Sequence, residues 1–185
     1  MPILREKGEK NGLLEAAKLM LVSARTAPKS GGIDDIVTAI VYSKDKDGIA
    51  AEMEKIAEER NSKGFKRDSK NLHDSEVVLL LGVKGPKSFG INCGACGYTT
   101  CEAFEKAGKK QGQDFVGPTC VFKALDMGIA LGSAAKTASL LNVDNRIMYR
   151  IGAAAKRMRL LPEAHIIIGI PLSSTGKNIY YDRHV

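Results

Sequence analysis

A chain of 185 residues, 44% of them hydrophobic, can bury one sizeable core of the ordinary globular kind. No apolar run approaches the roughly 18 residues of a membrane span, which excludes a transmembrane helix. The opening stretch MPILREKGEKNGLLEAAK has no apolar core ahead of a cleavage site, so no secretory signal is expected and a cytoplasmic location is the default. The formal charge of +7 permits an anionic partner without requiring one, and with aromatic residues at only 5% nucleic acid is not an expected ligand.

Taken in chain order, apolar residues at Leu13, Leu14, Ala17, Leu19, Met20, Leu21 and Ala24 predict an amphipathic helix over 10–26. Pro28, Gly31 and Gly32 end it. Residues 36–42 read as a short strand, 48–60 as a charged surface helix, and the polar stretch 61–73 as a loop. The run EVVLLLGV over 76–83 is continuous enough for a strand buried on both faces. Residues 84–120 are rich in glycine and hold every cysteine, with a short helix expected over 101–110. Small and apolar residues over 120–141 predict a helix for the core or for a dimer interface. A connector or short strand over 142–150 leads to a helix over 151–160, broken by Pro162. The run HIIIGIP over 165–171 is a second buried strand, and a polar tail follows. Alternating helices and apolar strands imply one α/β or α+β domain over 1–185.

Basic residues are spread along the chain, with one modest cluster at Arg146, Arg150, Lys156, Arg157 and Arg159. It reads as a solvated face, with a phosphate-bearing ligand as the alternative. His73, His165 and His184 are isolated and read as structural. The pair Asp34 and Asp35 reads as a cap or turn that remains available to a ligand.

The four cysteines carry the clearest chemistry. Cys93 and Cys96 are separated by two residues, Cys101 follows after four more, and Cys120 after another eighteen. Clustered cysteines in an intracellular chain point to a metal site rather than to disulfides. An iron–sulfur cube needs a thiolate at each of four iron corners, and this spacing offers three close together and a distant fourth. Gly94 and Gly97 let the backbone wrap closely and turn N–H groups toward sulfur. Lys84, Lys87 and Lys106 are placed to offset the negative charge. Zinc is the competing reading, because four thiolates also suit a tetrahedral site. Zinc sites usually pair two knuckles, however, and Cys101 with Cys120 does not form one.

Two resemblances extend this. The stretch from Cys93 to Phe104, with Cys120 after it, resembles the 4Fe-4S module of corrinoid iron–sulfur proteins, of the form C-x2-C-G-x3-C-x2-F followed by a later cysteine. Three other places resemble the nitroreductase-like flavoproteins: Ala24-Arg25-Thr26-Ala27-Pro28-Lys29-Ser30-Gly31, the helix with Asp126, Met127, Gly128, Ser133 and Leu140-Leu141-Asn142, and Leu161-Pro162-Glu163 before Ile168-Gly169-Ile170-Pro171. Lys29 stands where that family has serine and Gly32 where it has asparagine, and its R-S-x-R segment is absent. The whole pattern resembles a group of ferredoxin-domain-containing proteins from anaerobic microbes.

The resemblance implies an α+β fold, a nitroreductase-like mixed sheet flanked by helices, with an iron–sulfur segment inserted at 84–120. It implies a 4Fe-4S cluster on Cys93, Cys96, Cys101 and Cys120. It further implies a homodimer with FMN at the subunit interface, its phosphate near Arg25, Lys29 and Ser30 and near Lys177 or Arg183. A one-electron donor such as a ferredoxin would then feed a flavin able to deliver two electrons. The expected function is an iron–sulfur reductase or electron-transfer protein. The alternative is a non-enzymatic module, stabilised by an iron–sulfur cluster or zinc, that binds an anionic ligand or partner.

Overall fold

The computed structural model describes residues 2–181. Helix α1 covers Arg5–Thr26, strand β1 Ile36–Tyr42, helix α2 Ser43–Glu59, helix α3 Lys63–His73 and strand β2 Val77–Lys84. The short helix α4 covers Cys101–Lys106, and a small hairpin pairs β3, Lys110–Gln111, with β4, Val116–Gly117. Helix α5 covers Val121–Leu140, strand β5 Asp144–Asn145, helix α6 Tyr149–Arg157 and strand β6 Ala164–Ser173. No helix among these residues is long and apolar enough to cross a membrane.

The main sheet runs in the order β1-β2-β6-β5. All of its pairings among the described residues are antiparallel, where mixed directions were expected. The continuous apolar run makes β2 the centre: its residues alternate between two cores because successive side chains point to opposite faces. Val78 and Leu80 face α2, α3 and α6, together with Ile49, Met53, Phe65, Leu72 and Ile151. Leu79, Leu81 and Val83 face α1 and α5, together with Leu13, Met20, Met127 and Ala134. The result is a sheet covered by helices on both sides, which is why β2 lacks the polar alternation of a one-sided strand.

Helices α1 and α5 approach closely through small residues, Ala17 and Ala24 with Ala130, Ala134 and Ala138, all buried. Between them the hydroxyls of Ser23 and Thr137 are 2.6 Å apart. On the other face, α6 lies so near β6 that a Cβ on Gly152 would stand 1.6 Å from the carbonyl oxygen of Ile167. Only glycine fits there.

The stretch expected as a loop over 61–73 is instead largely α3. Ser62 caps it, its hydroxyl accepting the N–H of Phe65 at 3.4 Å. Its buried face carries only two large apolar residues, Phe65 and Leu72, beside Asp68 and Ser69. Tertiary pairing completes that face: Arg150 reaches Asp68 at 2.8 Å and lies over the Phe65 ring. Helix α2 also begins earlier than expected, at Ser43, and buries Lys46, whose ammonium donates to the carbonyls of Leu72 and His73.

Candidate functional site

Residues 85–120 leave the end of β2 and return at the start of α5. Within them only Gly85, Phe104 and Cys120 are buried. The stretch before α4 folds by backbone reversals: Gly90, Asn92, Gly94 and Gly97 all take positive φ, at 91°, 51°, 72° and 88°. Asparagine and glycine are the residues that tolerate this region. A turn closes where the Gly97 N–H donates to the Gly94 carbonyl at 2.9 Å, with Cys93 just before it and Cys96 within it. A loop that reverses in this way can turn successive N–H groups inward, forming a concavity for negative charge.

Cys101 occupies that concavity. Its sulfur accepts the Asn92 N–H at 3.3 Å, and its own N–H donates to the Asn92 side-chain oxygen at 2.7 Å. The Cys101 thiol is held below its ordinary value, chiefly by the Ser88 hydroxyl and then by the N–H groups of Asn92, Gly90 and Ile91. Ser88 also faces Glu105, which takes its hydroxyl at 2.6 Å and its N–H at 2.8 Å. One hydroxyl proton cannot serve both groups, so the backbone N–H groups are the donors that Cys101 always keeps.

All four cysteines are free thiols: Cys93 exposed, Cys96 and Cys101 half-buried, Cys120 buried at the N-cap of α5. The structure brings them into one segment and links Cys101 to its neighbours. Among the described residues, however, no three of the His, Cys, Asp or Glu side chains are close enough to form a metal cage. The donor set itself suits a thiolate-ligated centre: four unpaired thiols, with N–H groups aimed at one sulfur.

The segment packs against the loop after α1. Phe89 stacks at a tilt on Phe122 of α5, 5.3 Å between ring centres, and its edge closes over Gly31. Ser30 gives Asp126 both its N–H and its hydroxyl, each at 2.8 Å. Lys123, 1% exposed, sits 2.6 Å from the Asp35 carboxylate. Lys123 and Asp126 lie one and two turns into α5 from Cys120. The second carboxylate oxygen of Asp126 is buried without a hydrogen-bond partner among the described residues. Lys123 escaped the sequence reading, and Asp126 entered it only as part of a family resemblance. The available signal was a lysine and an aspartate three residues apart near the start of a helix made mainly of small and apolar residues.

The residues expected to hold a flavin phosphate are placed as follows. Lys29 turns its ammonium back onto the end of α1, donating to the carbonyls of Ala24, Ala27 and Arg25 at 3.1, 2.7 and 2.5 Å. That is a C-cap, since helix ends leave carbonyls without partners. Arg25 is ion-paired with Asp34 and also donates to the Ile36 carbonyl at 3.2 Å. Burial raises the Asp34 carboxyl, but the Arg25 bond, the Ile36 N–H and the charges of Arg25 and Lys29 outweigh it and hold it below the usual range. Ser30 serves Asp126, as described.

Lys177 is exposed, four residues beyond β6. The sheet register puts it at the other end of the molecule. Ile36, beside Arg25, pairs with Val83, whereas Leu172, near the start of the tail, pairs with Val77. Those positions are roughly 20 Å apart along β2. Tyr180 anchors the tail there, its hydroxyl 2.9 Å from that of Ser75. Arg183 lies outside the described residues. One copy of the chain therefore does not bring Lys177 together with Arg25 and Lys29.

Comparison with known proteins agrees with this architecture. Residues 116–183 match the family described as "Uncharacterized protein containing a ferredoxin domain (DUF2148)". A protein of Archaeoglobus fulgidus described as uncharacterized is 48% identical over 182 residues, covering 98% of this chain and 97% of its own. The chain belongs to the same family as that protein. The stretch matched by the ferredoxin-domain family holds Cys120 and none of the other three cysteines.

Solved structures similar to this family member share its fold at low identity. A nitroreductase from Lactococcus lactis in complex with nicotinic acid superposes with a TM-score of 0.59 at 12% identity, over 89% of this chain and 79% of that one. The FMN-dependent nitroreductase from Mycobacterium smegmatis in complex with NADPH gives 0.59 at 11%, over 92% and 82%. A nitroreductase with bound FMN from Desulfitobacterium hafniense gives 0.57 at 12%, over 88% and 78%. The fold of this chain is thus nitroreductase-like.

Proposed function

We propose that this chain is an iron–sulfur redox protein in which Cys93, Cys96, Cys101 and Cys120 ligate a 4Fe-4S cluster and which acts as a reductase or electron-transfer protein. The observation that carries the reading is the convergence of N–H groups on the Cys101 sulfur, within a segment that has almost no core of its own. A bound cluster supplies one-electron transfer. The loop residues Gly90, Asn92, Gly94 and Gly97 shape the concavity, and Asn92 orients Cys101 through two hydrogen bonds. Cys120, at the head of α5, ties the segment to the frame beside the loop 29–35. The segment 84–120 is then an insert on a domain spanning 1–185.

The test is iron, sulfide and zinc analysis of anaerobically purified protein, with each cysteine replaced by serine in turn. Roughly four irons and four sulfides per chain are expected for the parent, with a sharp loss in every variant. Zinc without iron would replace the cluster by a structural metal and favour the binding-module alternative. Full iron in three of the four variants would refute the ligand set.

FMN belongs to the same reading as a flavin shared between two copies of the chain, supplied by a one-electron donor such as a ferredoxin. Its support is the likeness to FMN-bound nitroreductases and the sheet geometry: Arg25 and Lys177 can meet one phosphate only from different protomers. Leu19 and Val22 of α1 and Leu125 and Ile129 of α5 remain exposed on the outer helical layer, which favours a homodimer through that face. Sedimentation should give about twice the 19.9 kDa chain mass. Titration of cofactor-free protein with FMN should saturate for the parent and weaken for Arg25→Ala. A monomer that binds no FMN would leave a cluster protein that has kept the frame without the flavin.

A further inference from the structure

A cavity of ≈ 600 Å³ opens on the opposite helical layer, where the β3–β4 hairpin lies over the end of α2 and the end of α6. Four cations line it: Arg60, Lys156, Arg157 and Arg159. Two of them have carboxylate partners. Arg60 pairs with Asp114 of the hairpin at 2.8 Å, and Arg157 with Glu59 at 2.6 Å and Glu52 at 2.8 Å. Lys156 and Arg159 form no ion pair among the described residues. The Lys156 ammonium donates only to the main-chain carbonyls of Pro162, at 3.4 Å, and Ala164. Burial holds it below its ordinary range, which is the state that an arriving anion would reverse. Arg159 is exposed at φ 59°, just past the end of α6: its N–H donates to the Lys156 carbonyl and the Leu160 N–H to the Ala155 carbonyl, a helix-ending turn.

We propose that this cavity binds the phosphate or diphosphate group of a small, non-aromatic metabolite, with Lys156 and Arg159 as the principal contacts. Guanidinium and ammonium groups without carboxylates are the ordinary partners of phosphate oxygens. The volume falls in the range of small-ligand sites. No aromatic ring lines the cavity, so it offers no stacking surface to a nucleobase. The site is separate from the flavin-type face, which lies across the sheet on α1 and α5. Its one connection with the cysteine segment is the hairpin: Asp114 holds Arg60 and also accepts from the Tyr149 hydroxyl, and Phe115 packs edge-on against Tyr149. Of the basic cluster visible in the sequence, only Lys156, Arg157 and Arg159 enter the cavity. Arg150 is taken by Asp68, and Arg146 by the Tyr180 carbonyl.

The test is calorimetric titration of the full-length protein with inorganic pyrophosphate and with orthophosphate at low salt, repeated for three variants. Arg159→Gly deletes the cation and relieves the backbone at the same position, so it should melt no lower than the parent. Lys156→Gln removes the second contact. Arg146→Ala is a basic residue outside the cavity. Saturable binding of one anion per chain is expected, weakened at least about tenfold by Arg159→Gly or Lys156→Gln and unchanged in Arg146→Ala. Three results would overturn the site: no saturable binding by the parent, retention of full affinity in both cavity variants, or an equal loss in Arg146→Ala. Binding of sulfate as tight as that of pyrophosphate would reduce it to general charge attraction and also overturn it.

Discussion

The strand pair β2–β6 and the segment 85–120 are built on opposite terms. Val77 to Val83 are all buried, supported by hydrogen-bonded neighbours on two edges and helices on two faces. The segment is longer than the two strands together but buries one large apolar side chain, Phe104. Burial of a Leu or Val is worth about 1.5–3 kcal/mol relative to exposure, so the strands are secured by solvent exclusion alone. A stretch with so little core needs covalent or metal cross-links to hold one conformation. The difference teaches where function can reside: the frame fixes position, and the segment needs a guest to fix itself.

Metal removal gives the largest expected effect and tests that contrast directly. Structural metal sites contribute on the order of 10 kcal/mol to the folding of the segment that they close. Chelation that strips the proposed cluster should abolish amide-exchange protection over residues 85–120 and leave β2 and β6 protected. Equal loss in both regions would mean that the frame depends on the segment, and the contrast would fail.

Next in size is a cavity placed in the frame. Leu80→Ala, at a fully buried position in the centre of β2, should cost about 2–5 kcal/mol. That lowers the melting temperature by roughly 5–20 °C, read by calorimetry. Phe104→Ala removes a larger side chain that is equally buried, packed edge-on to Tyr98 with Lys109 over its ring. The contrast predicts that it shifts the global transition by less than Leu80→Ala while lowering iron retention. If the two variants melt together, the segment is part of the frame's cooperative unit.

The same contrast explains what could be read in the sequence. Strand β1 has the bounds expected from its Val and Ile content, and β2 and β6 lie within one or two residues of theirs, because a run of apolar residues leaves few alternatives. Helix α3 was hidden because its buried face is made by Asp68, Ser69 and a distant Arg150, which periodicity does not register. The cysteines were visible as a spacing. The nest of N–H groups around Cys101 was not, since it depends on φ values at Asn92 and Gly90. Lys29 shows the limit of reading charge as a ligand contact: three helix-end carbonyls lie within its reach, and no composition rule counts them. The cavity under the hairpin joins Arg60 to Lys156 and Arg159 across about a hundred residues, which only the fold reveals.

The smallest predicted effect concerns a polar contact by which the hairpin grips the frame. Tyr149 opens α6 and gives its hydroxyl proton to Asp114 of the hairpin. Burial, the hydrogen bond to Asp114 and the charge of Asp114 push its phenol up to about 12, against the opposing charges of Arg60 and Arg150. A group whose folded value lies above its unfolded value stabilises the fold below the unfolded value and loses that contribution as pH rises through the folded one. The Tyr149 contribution is therefore complete at neutral pH and fades between about 10 and about 12. The contribution is modest because the ring is 44% exposed and solvent screens the pair. Carbon-13 tyrosine spectra should show the Tyr149 resonance, assigned by Tyr149→Phe, still protonated at pH values where an ordinary tyrosine has begun to ionise. Asp114→Asn keeps the shape of the acceptor and removes its charge, so the titration should move down toward the ordinary value. A parent Tyr149 that titrates as an ordinary phenol would show that the hairpin does not rest on α6. The segment would then be joined to the frame through Cys120, the Phe89–Phe122 contact and the Arg60–Asp114 pair.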